Sequence, residues 1–223
     1  MSHSSVPVIA IDGPTASGKG TVAQRVAEEL GFHYLDSGSL YRLTALAASR
    51  LGVDLADSAE VARVGASLHV AFQNGKTLLD GIDVGDAIRT ESASQNASRV
   101  AALPPVRDAL LQLQRNFRIA PGLVADGRDM GSVVFPDATL KIYLTASAEA
   151  RAERRTKQLK EKGMSAIMAD VVKELRARDK RDMSRPIAPL KHYPDAYLID
   201  TTEISADEAV NKILSLAQKS IGA

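Results

Sequence analysis

The sequence predicts an α/β fold: a five-stranded parallel sheet flanked by helices, with a small antiparallel insert. Three observations carry that expectation. Five short β-rich runs are spread along the chain with helix-period segments between them, and strands alternating with helices imply a doubly wound sheet. Most of these runs are too apolar to be half-exposed strands, which suits parallel strands covered on both faces. One further stretch breaks the rhythm with the signal of a tight hairpin.

The first run, VPVIAIDG from Val6, leads into the glycine-rich stretch Gly13 to Thr21 and then into a helix. Val22, Val26 and Leu30 share one face of that helix and Gly31 stops it. The second run, FHYLD from Phe32, is followed by DSGSLYR, where Asp36 or Ser37 caps a new helix. Leu68 to Arg89 reads as an antiparallel insert turning at Asn74-Gly75, and its place at the rim of the sheet is where ligands bind. From Pro104 a helix carries the stripe Val106, Leu110, Leu113 and Phe117, with proline correctly placed at its start. Two more runs follow, GLVADGR from Gly122 and LKIYLTA from Leu140, and then a helix beginning with Arg151, Arg154 and Arg155. Ile167, Val171 and Leu175 mark the next buried stripe, AYLIDTT from Ala196 is the fifth strand, and Ser205 with Glu208 forms the capping box of the last helix. Residues 1–62 and 103–223 are thus expected to form the core domain and 63–102 the insert.

The 223 residues suffice for one core domain with an insert. A net charge of +1 points to neither a nucleic-acid coat nor a membrane surface. The absence of cysteine excludes disulfides, thiolate metal sites and cysteine nucleophiles. The N-terminal stretch does not read as a signal peptide and no apolar run is long enough to span a bilayer, so a soluble cytoplasmic protein is expected.

The stretch Gly13-Pro14-Thr15-Ala16-Ser17-Gly18-Lys19-Gly20-Thr21 nearly writes a phosphate-binding loop. Glycines let backbone N–H groups turn inward around phosphate oxygens, the helix N-terminus adds favourable partial charge, and Lys19 reaches the outer phosphates. Where that signature has Ser or Thr as a magnesium ligand, this chain has Gly20, and the hydroxyl arrives one place late at Thr21. Asp126 ends an apolar strand as a magnesium-water ligand would, and Arg128 and Asp129 follow at a glycine-bounded turn. Continued past Leu175, the stripe of its helix becomes Arg178 and Asp182, with Arg185 one turn further, and burying such charges without partners would be costly. Lys19, Arg42, Arg128, Arg178 and Arg185 supply more positive charge than one nucleoside triphosphate needs. They suit two phosphorylated ligands meeting head to head, a reaction that needs alignment and charge neutralisation and no general base.

Together, GPTASGKGT, DSGSLYR, VADGRDMGSVVFPDA and RDKRDMSRPIAPL resemble the bacterial cytidylate kinases, within the nucleoside monophosphate kinases, along nearly the whole chain. The resemblance implies a P-loop NTPase-type core, an insert that binds the nucleoside monophosphate, and a short helical lid at about 151–185, with 154–162 over ATP. It implies an ATP-dependent kinase acting on CMP and dCMP with Mg²⁺, working as a cytoplasmic monomer without nucleic acid or membrane partners. The Gly-Lys-Gly-Thr ending is usual in that family, where magnesium is held by phosphates and waters, the latter oriented here by Asp126 with Asp36. Gly13 to Thr21, with Arg154 or Arg155, would bind ATP. Arg42, Arg128 and Arg185 would grip the acceptor phosphate, beside Asp36, Ser37 and Tyr41, while Arg178 and Asp182 would meet the ribose. Ser98, Arg107 and Asp129 would read cytosine: carboxylate and hydroxyl accept from its amino group, and the guanidinium donates to its acceptors. Thr15-Ala16 replaces the smaller Ser-Gly of many relatives and should be tolerated, because backbone N–H groups make the contacts. Two alternatives stay open: a kinase of this fold with AMP, UMP or a small hydroxy acid as acceptor, and a nucleotide-binding switch or ATPase acting on a polyanion.

Overall fold

In the computed structural model, which describes residues 6–73, 76–161 and 163–222, the five apolar runs pair as one sheet. The strands are β1 (Val8–Asp12), β2 (His33–Asp36), β6 (Leu123–Gly127), β7 (Leu140–Thr145) and β8 (Tyr197–Asp200), in the order β2-β6-β1-β7-β8. β1 runs parallel to β6 and β7, and β7 parallel to β8, so the carboxyl ends Asp12 and Gly127 lie in register. That edge is where an open parallel sheet receives its ligands.

Helix α1 (Lys19–Leu30) covers one face, with Val22, Ala23, Val26 and Ala27 buried. They pack with Ile9, Ile11, Val124, Ile142 and Leu144 of the sheet and with Val210 and Ile213 of α8 (Ala206–Ile221). Gly31 ends α1 in the left-handed conformation at φ 64°, and the Ser205–Glu208 capping box opens α8, both as the sequence predicts. The helices α6 (Ala148–Glu161) and α7 (Met168–Met183) pack together through Ala152, Val171 and Leu175. All of this belongs to one compact unit, the chain up to Leu35 and from Phe117 onward.

The second unit is Asp36–Asn116, and the expected insert at 63–102 lies within it. It contains α2 (Ser37–Arg50), α3 (Ser58–Ala66), α4 (Glu91–Val100) and α5 (Pro104–Arg115). A three-stranded antiparallel sheet joins them: β3 (Val70–Gln73), β4 (Lys76–Leu79) and β5 (Ile82–Asp83). The Asn74-Gly75 signal lies outside the described residues, but the pairing of Ala71 with Leu78 is the hairpin expected around it.

Two helical stripes differ from expectation. On α5 the buried face runs through Val106, Arg107, Leu110 and Gln114, whereas Leu113 is only half-buried. Steps of three and four both keep a residue near one face, so spacing alone did not fix the phase. On α7 the buried face is Val171, Leu175, Asp179 and Asp182, and Ile167, which caps the helix, is exposed. Among the described residues, no helix is long and apolar enough to cross a membrane.

Candidate active site

The glycine-rich stretch forms a loop between β1 and α1 whose shape its residues enforce. A Cβ on Gly13 would sit 2.0 Å from the Leu144 carbonyl oxygen, so the loop can leave the sheet only through glycine. Gly18, at φ 87°, caps α1, and Ala16 adopts the left-handed region at φ 60°. For an L-residue that conformation costs roughly 1–2 kcal/mol, so the Ala16 expected to be harmless is a strained point of the loop. The Lys19 ammonium reaches back across the loop to the Pro14 carbonyl, at 3.4 Å. Two loop carbonyls are held from outside: Thr15 O accepts from Arg151 Nη1 at 3.1 Å, and Ser17 O accepts from Arg154 Nη1 and Thr201 Oγ1, each at 3.3 Å.

Beyond β6 the turn 127–131 brings charge to the loop. Arg128 donates to Asp182 Oδ2 (2.8 Å) and to Thr15 Oγ1 (2.6 Å), and Arg185 donates to the other oxygen of Asp182. Asp182 is 1% exposed. Burial alone would raise its pKa, but the Arg128 and Arg185 guanidiniums and the nearby Arg178 together hold it below the usual carboxylate value. The structure therefore brings Arg128, Arg178, Asp182 and Arg185 into one cluster, as the charged continuation of the α7 stripe suggested. Asp129, also buried, starts the helical turn Met130–Val134.

That turn is anchored by Asp12, which the sequence reading passed over. Its two oxygens accept from Met130 N at 2.8 Å and Gly131 N at 2.9 Å. Burial pushes the Asp12 carboxyl up to about 7; the Gly131 N–H opposes this, the Asp129 charge adds to it, and the Met130 N–H and Arg128 oppose it. Asp12 also immediately precedes Gly13, so one side chain ties the start of the loop to the turn carrying Arg128 and Asp129.

Asp126, buried at the end of β6, accepts a 2.6 Å hydrogen bond from the Tyr34 hydroxyl. A Cβ on Gly20 would come within 3.6 Å of that same hydroxyl, so the space beside the missing Ser/Thr borders a Tyr–Asp pair. Among the described residues, no group of three or more His, Cys, Asp or Glu is arranged to hold a metal. Magnesium dehydrates reluctantly and is bound through one or two carboxylates, waters and substrate phosphates, so it needs no such cluster. Asp36 caps α2 by accepting from Ser39 N (3.0 Å) and Ser39 Oγ (2.6 Å).

The remaining candidates lie in the second unit. Ser37, Tyr41 and Arg42 are on α2, Ser98 on α4 and Arg107 on α5. Arg107 Nη1 donates to the Ala101 carbonyl that ends α4, at 3.3 Å, and the guanidinium lies 6.0 Å from the centre of the Tyr41 ring. Ser98 Oγ and Arg42 Nε are buried without a hydrogen-bond partner among the described residues. Arg155 is half-buried on α6, and Arg154 donates to the Thr201 carbonyl as well as to the loop.

Comparison with known proteins gives a consistent picture. The model of the family described as cytidylate kinase matches residues 9–219. A cytidylate kinase of Chromobacterium violaceum is 61% identical over 209 residues, spanning 94% of each chain. One from Cupriavidus necator is 57% identical, also over 94% of each. A gluconokinase structure from Sinorhizobium meliloti superposes with a TM-score of 0.50 at 13% identity, covering 97% of this chain and 95% of that one, a likeness of fold alone.

Proposed function

The chain belongs to the cytidylate kinase family, and we propose that it transfers the γ-phosphoryl group of ATP to CMP, and to dCMP. A phosphate oxygen of the monophosphate attacks the γ-phosphorus, the bond to the β–γ bridging oxygen breaks, and ADP leaves as CDP or dCDP forms. The attacking oxygen is already anionic, so no side chain need remove a proton; the work is alignment and neutralisation of charge on the equatorial oxygens.

The observation that carries this reading is the double attachment of Arg128: one side chain touches the phosphate loop through Thr15 and the charged cluster through Asp182. ATP phosphates fall to the loop Gly13–Thr21, with Lys19 as the mobile cation and Arg154 and Arg155 at its rim. Arg128, Arg178 and Arg185 neutralise charge on the phosphate side of the acceptor, Arg178 and Asp182 meet its ribose, and Asp182 also orients Arg128 and Arg185 by the contacts described. Asp36, Ser37, Tyr41 and Arg42 contact CMP, with Arg42 at its phosphate. Ser98, Arg107 and Asp129 read its base, and a uracil there would leave buried groups unpaired or opposed. Asp126 would hold magnesium through water, and the ion would supply neutralisation of phosphate charge.

The test is ADP release from ATP and Mg²⁺ with CMP, dCMP, UMP, AMP or no acceptor. Activity confined mainly to the two cytidine nucleotides is expected. Equal rates with UMP would refute the base-reading assignment, and ADP release regardless of acceptor would refute the transfer.

A further inference from the structure

Arg151 is one of the most heavily committed side chains of the molecule, yet it stands at none of the positions assigned to a ligand. It is 5% exposed, at the start of α6. Nη1 and Nη2 meet the two oxygens of Asp179 at 3.1 and 2.6 Å, and Nε donates to the Ala146 carbonyl at 3.0 Å. The second hydrogen of Nη1 faces the Thr15 carbonyl of the phosphate loop at 3.1 Å. Asp179 lies between Arg178 and Asp182 on α7, so one guanidinium joins α6, α7 and the loop. A bidentate fork with a further donor to spare is what arginine offers and lysine does not.

The Thr15 carbonyl belongs to the peptide that carries the Ala16 N–H. A trans peptide is planar, with its C=O and N–H pointing in opposite directions. A carbonyl fixed toward Arg151 therefore fixes the Ala16 N–H away from Arg151. The same residue, Ala16, holds the strained positive φ that an untethered loop would relax. Ser17 O, held by Arg154 and Thr201, orients the Gly18 N–H by the same logic.

We propose that Arg151, locked on Asp179, is a positioning residue of the phosphate loop, aiming the Ala16 N–H at the triphosphate. The inference rests on reading the loop as the ATP site. It predicts a selective defect in donor binding, which a merely structural ion pair would not produce.

The experiment measures calorimetric affinities for ATP with Mg²⁺ and for CMP, with thermal midpoints, in wild-type protein and Arg151→Lys. Lysine keeps the charge but cannot span Asp179, Ala146 and Thr15 together. The expected result is ATP binding weakened about tenfold, the worth of one hydrogen bond to a charged group, with CMP affinity kept within about twofold. Wild-type ATP affinity in the folded variant overturns the proposal, as does equal weakening for both ligands. If Arg151→Lys does not fold, Asp179→Asn is read instead: a smaller loss that is greater for ATP than for CMP supports the proposal, and unchanged ATP affinity overturns it. Failure of the wild-type protein to bind ATP would defeat the reading of the loop, and this inference with it.

Discussion

Replacing Asp12 by Asn should slow turnover strongly while changing stability only modestly, because relief of a buried charge is partly offset by the loss of a hydrogen bond. Near pH 8 the Asp12 carboxylate is charged and buried. Its carboxyl is pushed from 3.8 to about 7, and at 1.36 kcal/mol per pKa unit that is a burden on the order of 4 kcal/mol, which Asn removes. Asn also has a single acceptor oxygen for the two N–H groups of Met130 and Gly131. One N–H is then left facing a donor, at about 1–3 kcal/mol. The balance lies within about 3 kcal/mol, or at most about 12 °C in Tm for a chain of this size. The turn carrying Arg128 and Asp129 loses its anchor, and a misplacement on the order of 1 Å lowers turnover about 100-fold. The pH dependence has a definite sign. The folded pKa lies above the unfolded one, so the folded state binds the proton more tightly, and stability from this group declines as pH rises from about 4 to about 7. The Tm of Asp12→Asn minus that of wild type should therefore increase over that window. Coupled assays of ADP release with thermal scans from pH 5 to pH 8 check both halves. Wild-type turnover in the variant, or a Tm difference that does not change with pH, would refute the reasoning.

Ala16→Gly should stabilise the protein. Relief of the left-handed conformation, roughly 1–2 kcal/mol, outweighs about 0.5–1 kcal/mol of added freedom in the unfolded chain, so Tm should rise by about 1–4 °C; a fall would contradict the strain. Arg128→Ala should lower turnover about 1000-fold, as loss of an arginine acting on transferring phosphate does, with ATP affinity kept in a calorimetric titration. Asp129→Ala should narrow the ratio of kcat/KM for CMP over UMP by at least about tenfold; an unchanged ratio would remove Asp129 from the base-reading group.

The five strands, the phosphate loop and the α8 capping box were legible because each is written within about ten consecutive residues by period, glycine placement or cap spacing. The α7 cluster was legible for a related reason: a buried stripe that turns from Leu175 to charged residues must find partners. Asp12 was not, because an aspartate at the end of a strand reads as an ordinary turn residue until Met130 and Gly131 are brought against it from 118 and 119 positions away. The Arg151–Asp179 pair spans 28 residues, and Tyr34–Asp126 spans 92. Nothing local distinguishes those residues from solvated ones. The misphased α5 face has a different origin, since Leu113 and Gln114 stand equally well one turn beyond Leu110, and only packing chose the polar one.

ATP radiolabelled in its terminal phosphate, incubated with CMP and Mg²⁺, decides whether the loop and the arginine cluster serve a single transfer. The label should appear in CDP, in amounts equal to the ADP formed, and should not appear as inorganic phosphate. Label released as inorganic phosphate, with CMP recovered unchanged, would contradict the transfer and leave a nucleotide-hydrolysing protein in its place.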